Sequence, residues 1–140
     1  MNRTPSAASS RVVLSLIGNT PMIQLHFAEV GVTLHAKCEF LNPSGSMKDR
    51  LAKCVLVDAE QRGLIGPHSN ILECSSGNSG IAFAMVGAAM GYRVTILMSA
   101  GASVERRKLI QRLGAELVLF DSKGRYQRGI EMSREMAENI

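Results

Sequence analysis

The sequence predicts an α/β fold, a parallel sheet with helices on both faces. Three observations point to it. Short apolar runs at 70–74, 92–98 and 115–120 alternate with segments of helical length, and strands joined by helices pair in parallel through right-handed crossovers and are covered on both sides. Gly63, Gly91 and Gly114 each follow one of the helical segments, as left-handed C-terminal stops do. Of the 140 residues, 46% are apolar, which suits one domain with one core and no covalent staples.

Taken in order, residues 1–10 have the polar, serine-rich composition of a disordered tail, and a single domain is expected over 11–140. Ile17-Gly18-Asn19-Thr20-Pro21 is turn chemistry, followed by a strand over 22–26. A second strand is expected over 32–40, with Val32, Leu34, Ala36 and Cys38 on one face. After a polar loop, a helix to about residue 62 places Leu51, Cys54, Val55 and Asp58 or Ala59 along one side. Gly66-Pro67-His68 turns the chain into the strand at 70–74. The helix over 79–90 is apolar all round, the mark of a buried helix. Ser103 caps a helix through 113, and a last helix over 126–139 carries a ragged apolar face of Ile130, Met132, Met136 and Ala137.

Composition excludes several functions. Cys38, Cys54 and Cys74 are scattered, with no C-x-x-C, and His26, His35 and His68 are equally dispersed, so no metal site and no disulfide framework is expected. A polar N-terminus and the lack of a long apolar run predict a cytoplasmic protein without membrane contact. The net charge of +4 comes largely from the second half, where Arg106, Arg107, Lys108, Arg112, Lys123, Arg125 and Arg128 gather. Glu105, Glu116 and Asp121 interrupt that run and aromatics do not interleave it, which favours a solvated helix face over nucleic-acid binding.

Two loops carry chemistry. Asn42-Pro43-Ser44-Gly45-Ser46-Met47-Lys48-Asp49-Arg50 runs into a helix, with Ser46 and Asp49 spaced as a capping box. Lys48 then falls in the first turn, where the helix dipole disfavours a cation by roughly 0.3–1 kcal/mol. A lysine whose neutral amine is easier to reach is suited to attack carbonyls, as a Schiff-base lysine does. Ser75-Ser76-Gly77-Asn78-Ser79-Gly80 offers hydroxyls and backbone N–H groups at a helix start, a cradle for a carboxylate or phosphate. Nucleophile-elbow, Walker and dinucleotide spacings all fail here. Both loops are expected to follow strands of one parallel sheet and so to open on the same rim. An amine facing an anion cradle fits an amino-acid substrate.

Ile17-Gly18-Asn19-Thr20-Pro21 and these two loops, together with Ser103-Val104-Glu105-Arg106-Arg107-Lys108 and Gly114-Ala115-Glu116-Leu117-Val118, resemble the successive motifs of the cysteine synthase and cystathionine β-synthase family, the fold-type II pyridoxal-phosphate enzymes. The likeness covers about residues 14–138. It implies the small N-terminal domain of that fold, truncated relative to the family, with the large domain missing. It implies pyridoxal 5'-phosphate held by Lys48, with Lys48 also moving the substrate α-proton and Asn78 bonding the cofactor's ring hydroxyl. Ser75, Ser76, Gly77 and Ser79 would hold the substrate carboxylate. The reaction implied is β-elimination from an O-activated serine followed by addition of sulfide or another nucleophile. Serines at 75 and 79 stand where the family commonly has threonine, keeping both hydroxyls, and 99–103 departs from a stiffer, charged family loop. The family's phosphate-binding loop lies further along and is not in this sequence. The expected partners are a small amino-acid substrate and either a homo-oligomer or a complementary C-terminal half. The other reading is a non-catalytic module that binds a small carboxylate or a partner.

Overall fold

The computed structural model describes residues 11–123 and 125–138, and the tail expected over 1–10 lies outside the described residues. In chain order the elements are α1 (Val12–Ser15), β1 (Met22–Phe27), β2 (Val32–Lys37), α2 (Lys48–Gln61), β3 (Asn70–Cys74), α3 (Asn78–Met90), β4 (Arg93–Ser99), α4 (Val104–Arg112), β5 (Glu116–Phe120) and α5 (Gln127–Glu138). Short 3-10 turns at Ala28–Val30 and Glu39–Leu41 join the first pieces.

Alternation along β4 sets the layers. Val94, Ile96 and Met98 point into the main core, where α3 supplies Ile81, Phe83, Met85 and Val86 and α4 supplies Ile110. Leu97 points the other way, paired with Cys74 in a parallel β3-β4-β5 sheet, and α5 covers that face. The expected α/β sheet with helices on both faces is therefore present. The wholly apolar segment forms α3 and is buried along nearly all of its length, closed by Gly91 in the left-handed conformation. Ser103 caps α4 as expected, its side chain accepting from the Arg106 amide.

Gly129 is where α5 presses closest. A Cβ there would lie 2.4 Å from Phe120 Cζ and 2.6 Å from Cys74 Sγ, so the helix can seat on the ends of β3 and β5 only without a side chain. Gly129→Ala is expected to cost about 1–3 kcal/mol by overpacking, read as a fall in thermal midpoint of several degrees. An unchanged midpoint would mean that α5 can lift away freely.

The first two strands differ from expectation. A connection of a few residues, ending at Gly31 with φ +64°, folds β2 back on β1. A link that short can only make an antiparallel pair, so β1 and β2 form their own two-stranded sheet instead of joining the parallel one. The strand expected over 32–40 also stops at Lys37, because Cys38 donates its amide to the Pro21 carbonyl (2.8 Å) and the chain then turns through Glu39–Leu41. Of the expected inward face only Cys38 is buried; Ile23, Leu25, Phe27, Val32 and Leu34 remain 41–51% exposed.

The long helix α2 is rotated from the expected stripe. It buries Asp49, Ala52 and Leu56, while Leu51 and Val55 stay exposed, because small Ala52 lets α2 lie close against α3. Leu56 faces Gly87, and Glu60, a turn further on, accepts from the Tyr92 hydroxyl just past the end of α3 (2.9 Å). Steps along one helix match steps in the same direction along the other, so the two are parallel and begin at the same end.

Candidate active site

That parallel pairing sets the helices that follow the two loops starting at one end of the domain, by a route the sequence does not suggest. Loop 42–47 follows β2, which lies outside the parallel sheet, so the expected shared strand rim is absent for it. Loop 75–77 does follow a sheet strand, β3, at its carboxyl end. Because α2 and α3 start at one end of a packed pair, Lys48, the first residue of α2, and Asn78, the first residue of α3, lie on the same side of the domain.

The lysine loop is held on both flanks. Asn42 is buried and accepts from the Gly18 amide (2.9 Å), while its own amide donates to the Glu39 backbone carbonyl (2.8 Å) and carboxylate (2.9 Å). Gly45, at φ +85°, turns the chain with its amide bonded to the Asn42 carbonyl (2.7 Å). The expected capping box does not form. Helix α2 has Met47 at its N-cap position with no side-chain cap, and Ser46 Oγ accepts only from the Lys48 amide (3.2 Å). The Asp49 carboxylate instead reaches back to the Ser44 amide (2.7 Å) and the Ser44 hydroxyl, because the Gly45 turn lays Ser44 over the helix start. Asp49 thus ties the loop to the helix.

Lys48 is half-buried, and among the described residues its ammonium group makes no hydrogen bond or ion pair. Lys53, one helical turn on, donates its Nζ to the Leu14 carbonyl (2.7 Å). One of the two lysines is structural and the other is available.

Glu39 anchors the base of the loop. It accepts from Arg50 Nε (2.8 Å), Arg50 Nη2 (2.9 Å) and Thr20 Oγ1 (2.8 Å). The Arg50 guanidinium, with help from the Thr20 hydroxyl, pulls its carboxyl down to about 2. A depressed carboxylate stabilises the fold above its unfolded pKa, near 4.5, and that contribution disappears as pH falls toward 2. Glu60, lowered by Arg11 and Tyr92, acts in the same direction. Glu39→Gln is expected to flatten part of the decline in thermal midpoint between pH 4.5 and about 2. Parallel wild-type and variant curves over that window would rule out the ion pair as a source of acid sensitivity.

The seryl loop is preformed. Ser75 is buried, and its Oγ accepts from the Gly77 amide (3.3 Å) and the Gly80 amide (3.0 Å), shaping the turn from within. Ser76 has both backbone groups engaged: its amide donates to the Tyr126 hydroxyl (3.0 Å) and its carbonyl accepts from Arg106 Nη1 (3.3 Å). Asn78 is exposed, and Gly77 and Ser79 are half-exposed. Beside the loop opens a cavity of about 400 Å³ lined by Ser76, Ser99, Ala102, Arg106, Ser122 and Tyr126. Tyr126 has no motif that marks it in the sequence. Arg106 and Arg107, counted with the surface charges, both bond backbone carbonyls, those of Ser76 and Ala100.

An unengaged lysine and a pre-shaped seryl loop thus lie at one end of two parallel helices. The family model for pyridoxal-phosphate dependent enzymes matches residues 13–140. The chain belongs to this family. Among its relatives in the pyridoxal-phosphate dependent family, O-ureido-L-serine synthase of Streptomyces lavendulae is 47% identical over 127 residues, covering 90% of this chain and 39% of the relative. A probable cysteine synthase of Bacillus subtilis (strain 168) is 42% identical over 127 residues, covering 89% and 41%. The crystal structure of O-ureido-L-serine synthase superposes with a TM-score of 0.85 at 47% identity, covering 91% of this chain and 40% of that one. Cysteine synthase from Entamoeba histolytica gives 0.85 at 34% identity, covering 99% and 43%. The chain thus spans about two fifths of the length of these relatives. Among the described residues, no helix is long and apolar enough to cross a membrane.

Proposed function

We propose that this chain carries the lysine and carboxylate-binding part of a pyridoxal-phosphate site for β-replacement on an O-activated serine, as in cysteine synthesis. The observation that carries the reading is the unengaged Lys48 amine at the end of the α2–α3 pair where the seryl loop also sits. The residues present suit the cofactor's aldehyde end: Lys48 is the available amine, and Asn78, exposed at the start of α3, would donate to a ring hydroxyl. Pyridoxal phosphate, when bound, supplies the electron sink for breaking bonds at the substrate α-carbon.

The chain's own residues do the rest. Lys48 holds the cofactor and later carries the proton of the substrate α-carbon. Ser76, Gly77 and Ser79 orient the substrate carboxylate at the start of α3, where the helix dipole favours an anion, and Ser75 holds the turn in shape. Arg106 adds a positive charge beside the same loop. Leaving group and acceptor, sulfide or another nucleophile, approach from the cavity side. The exposed apolar faces of β1 and β2 support packing against further polypeptide, either the rest of a longer chain or a second copy.

Mixing the purified chain with pyridoxal phosphate tests the reading. A visible absorbance band that Lys48→Ala removes is the expected result, and colour that survives the substitution would be random lysine labelling. The second reading, a non-catalytic carboxylate-binding module, is favoured by the seryl loop being fully shaped without Lys48. It predicts carboxylate binding with no such band.

A further inference from the structure

We propose that Tyr126 is a positioning residue for the carboxylate loop, latching Ser76 in the orientation that ligand binding needs; this rests on the carboxylate reading of 75–79. The Tyr126 hydroxyl donates to the Cys74 carbonyl (3.2 Å) and accepts from the Ser76 amide (3.0 Å). One phenolic oxygen therefore spans the residue at which β3 ends and the loop begins. Tyr126 as a residue is 45% exposed, so the hydroxyl contacts, more than burial, tie it to the loop.

Two independent contacts fix the latch. Two residues into α5, Gly129 sits against Cys74 and Phe120 closely enough to exclude a side chain, which sets the helix and the tyrosine preceding it on the end of β3. Arg106 of α4 donates to the Ser76 carbonyl (3.3 Å). The peptide planes around Ser76 are thus held from two elements that are distant in sequence. Ser75 meanwhile engages the Gly77 and Gly80 amides from inside the loop. The Tyr126 oxygen also occupies the Ser76 amide with the same kind of acceptor that a carboxylate would offer. A bound carboxylate shares that amide and finds it already held in place.

The test uses the isotope-labelled 140-residue chain and L-serine as the carboxylate probe. Tyr126→Phe keeps the ring and removes both hydroxyl contacts. The expected results are amide hydrogen exchange at Ser76 faster by about 5–10-fold and a dissociation constant for L-serine, read from loop amide shifts, weaker by a similar factor. Exchange at Ile96 and Leu97 in β4 should be unchanged, which a general loosening would not allow. Unchanged exchange at Ser76, or faster exchange with unaltered L-serine affinity, overturns the proposal. If L-serine shifts no loop amide even in the wild-type chain, the carboxylate reading itself fails, and the exchange rate at Ser76 alone then decides whether the latch exists.

Discussion

Lys48→Ala is expected to abolish the visible band formed with pyridoxal phosphate. In a full-length protein containing this domain, it is expected to lower turnover by on the order of 10²–10⁴-fold through loss of the acid/base alone. The reason is selective availability. The chain has five lysines, and random labelling would spread over the exposed ones. Lys53 provides an internal control, since its amine is committed to the Leu14 carbonyl. Lys53→Ala should leave the band intact and reduce only stability, by about 1–3 kcal/mol for a lost charged hydrogen bond. A band that persists in Lys48→Ala and fades in Lys53→Ala would reverse the assignment of the two side chains and sink the functional reading.

Asp49→Ala is expected to be the most damaging substitution for the fold of the lysine loop. Asp49 is fully buried and accepts from both the amide and the hydroxyl of Ser44. Alanine would leave two donors without a partner and a small void in a fully buried position, a loss of about 2–4 kcal/mol. Urea unfolding should show it as a lower midpoint at unchanged slope. Asp49→Asn keeps one acceptor and should cost about half as much. The variant that stays folded should also react more slowly at Lys48, because the segment from Ser44 to Met47 would no longer be tied to α2. A midpoint within experimental scatter of wild type would show that Asp49 contributes nothing to holding the loop.

Much of the fold was legible because it is written locally. The apolar segment that became α3, the Val- and Ile-rich run of β4 and the Ser103 cap each declare themselves within a few residues, through periodicity, burial in all directions or a side chain that satisfies a nearby amide. The errors share a different origin. Strand pattern alone does not say which sheet β2 joins; the short connection ending at Gly31 commits it to β1. The stripe expected on α2 followed the larger apolar residues, but α3 packs over Ala52 and Leu56. Asp49 has the spacing of a partner to Ser46, but the Gly45 turn gives it Ser44 instead.

The sequence by itself determined which residues could do chemistry: a lysine at the start of a helix, a hydroxyl-rich turn at the start of another, and the order of motifs that marks the pyridoxal-phosphate dependent family. Only the tertiary structure decided how these meet. The two loops share an end of the domain because α2 and α3 pack in parallel, and Tyr126 reaches the seryl loop because Gly129 lets α5 settle on β3. The physical reason is range. Helix caps, turns and periodic faces depend on neighbours a few residues away, while the choice of packing partner depends on the volume and hydrogen-bonding needs of residues tens of positions apart.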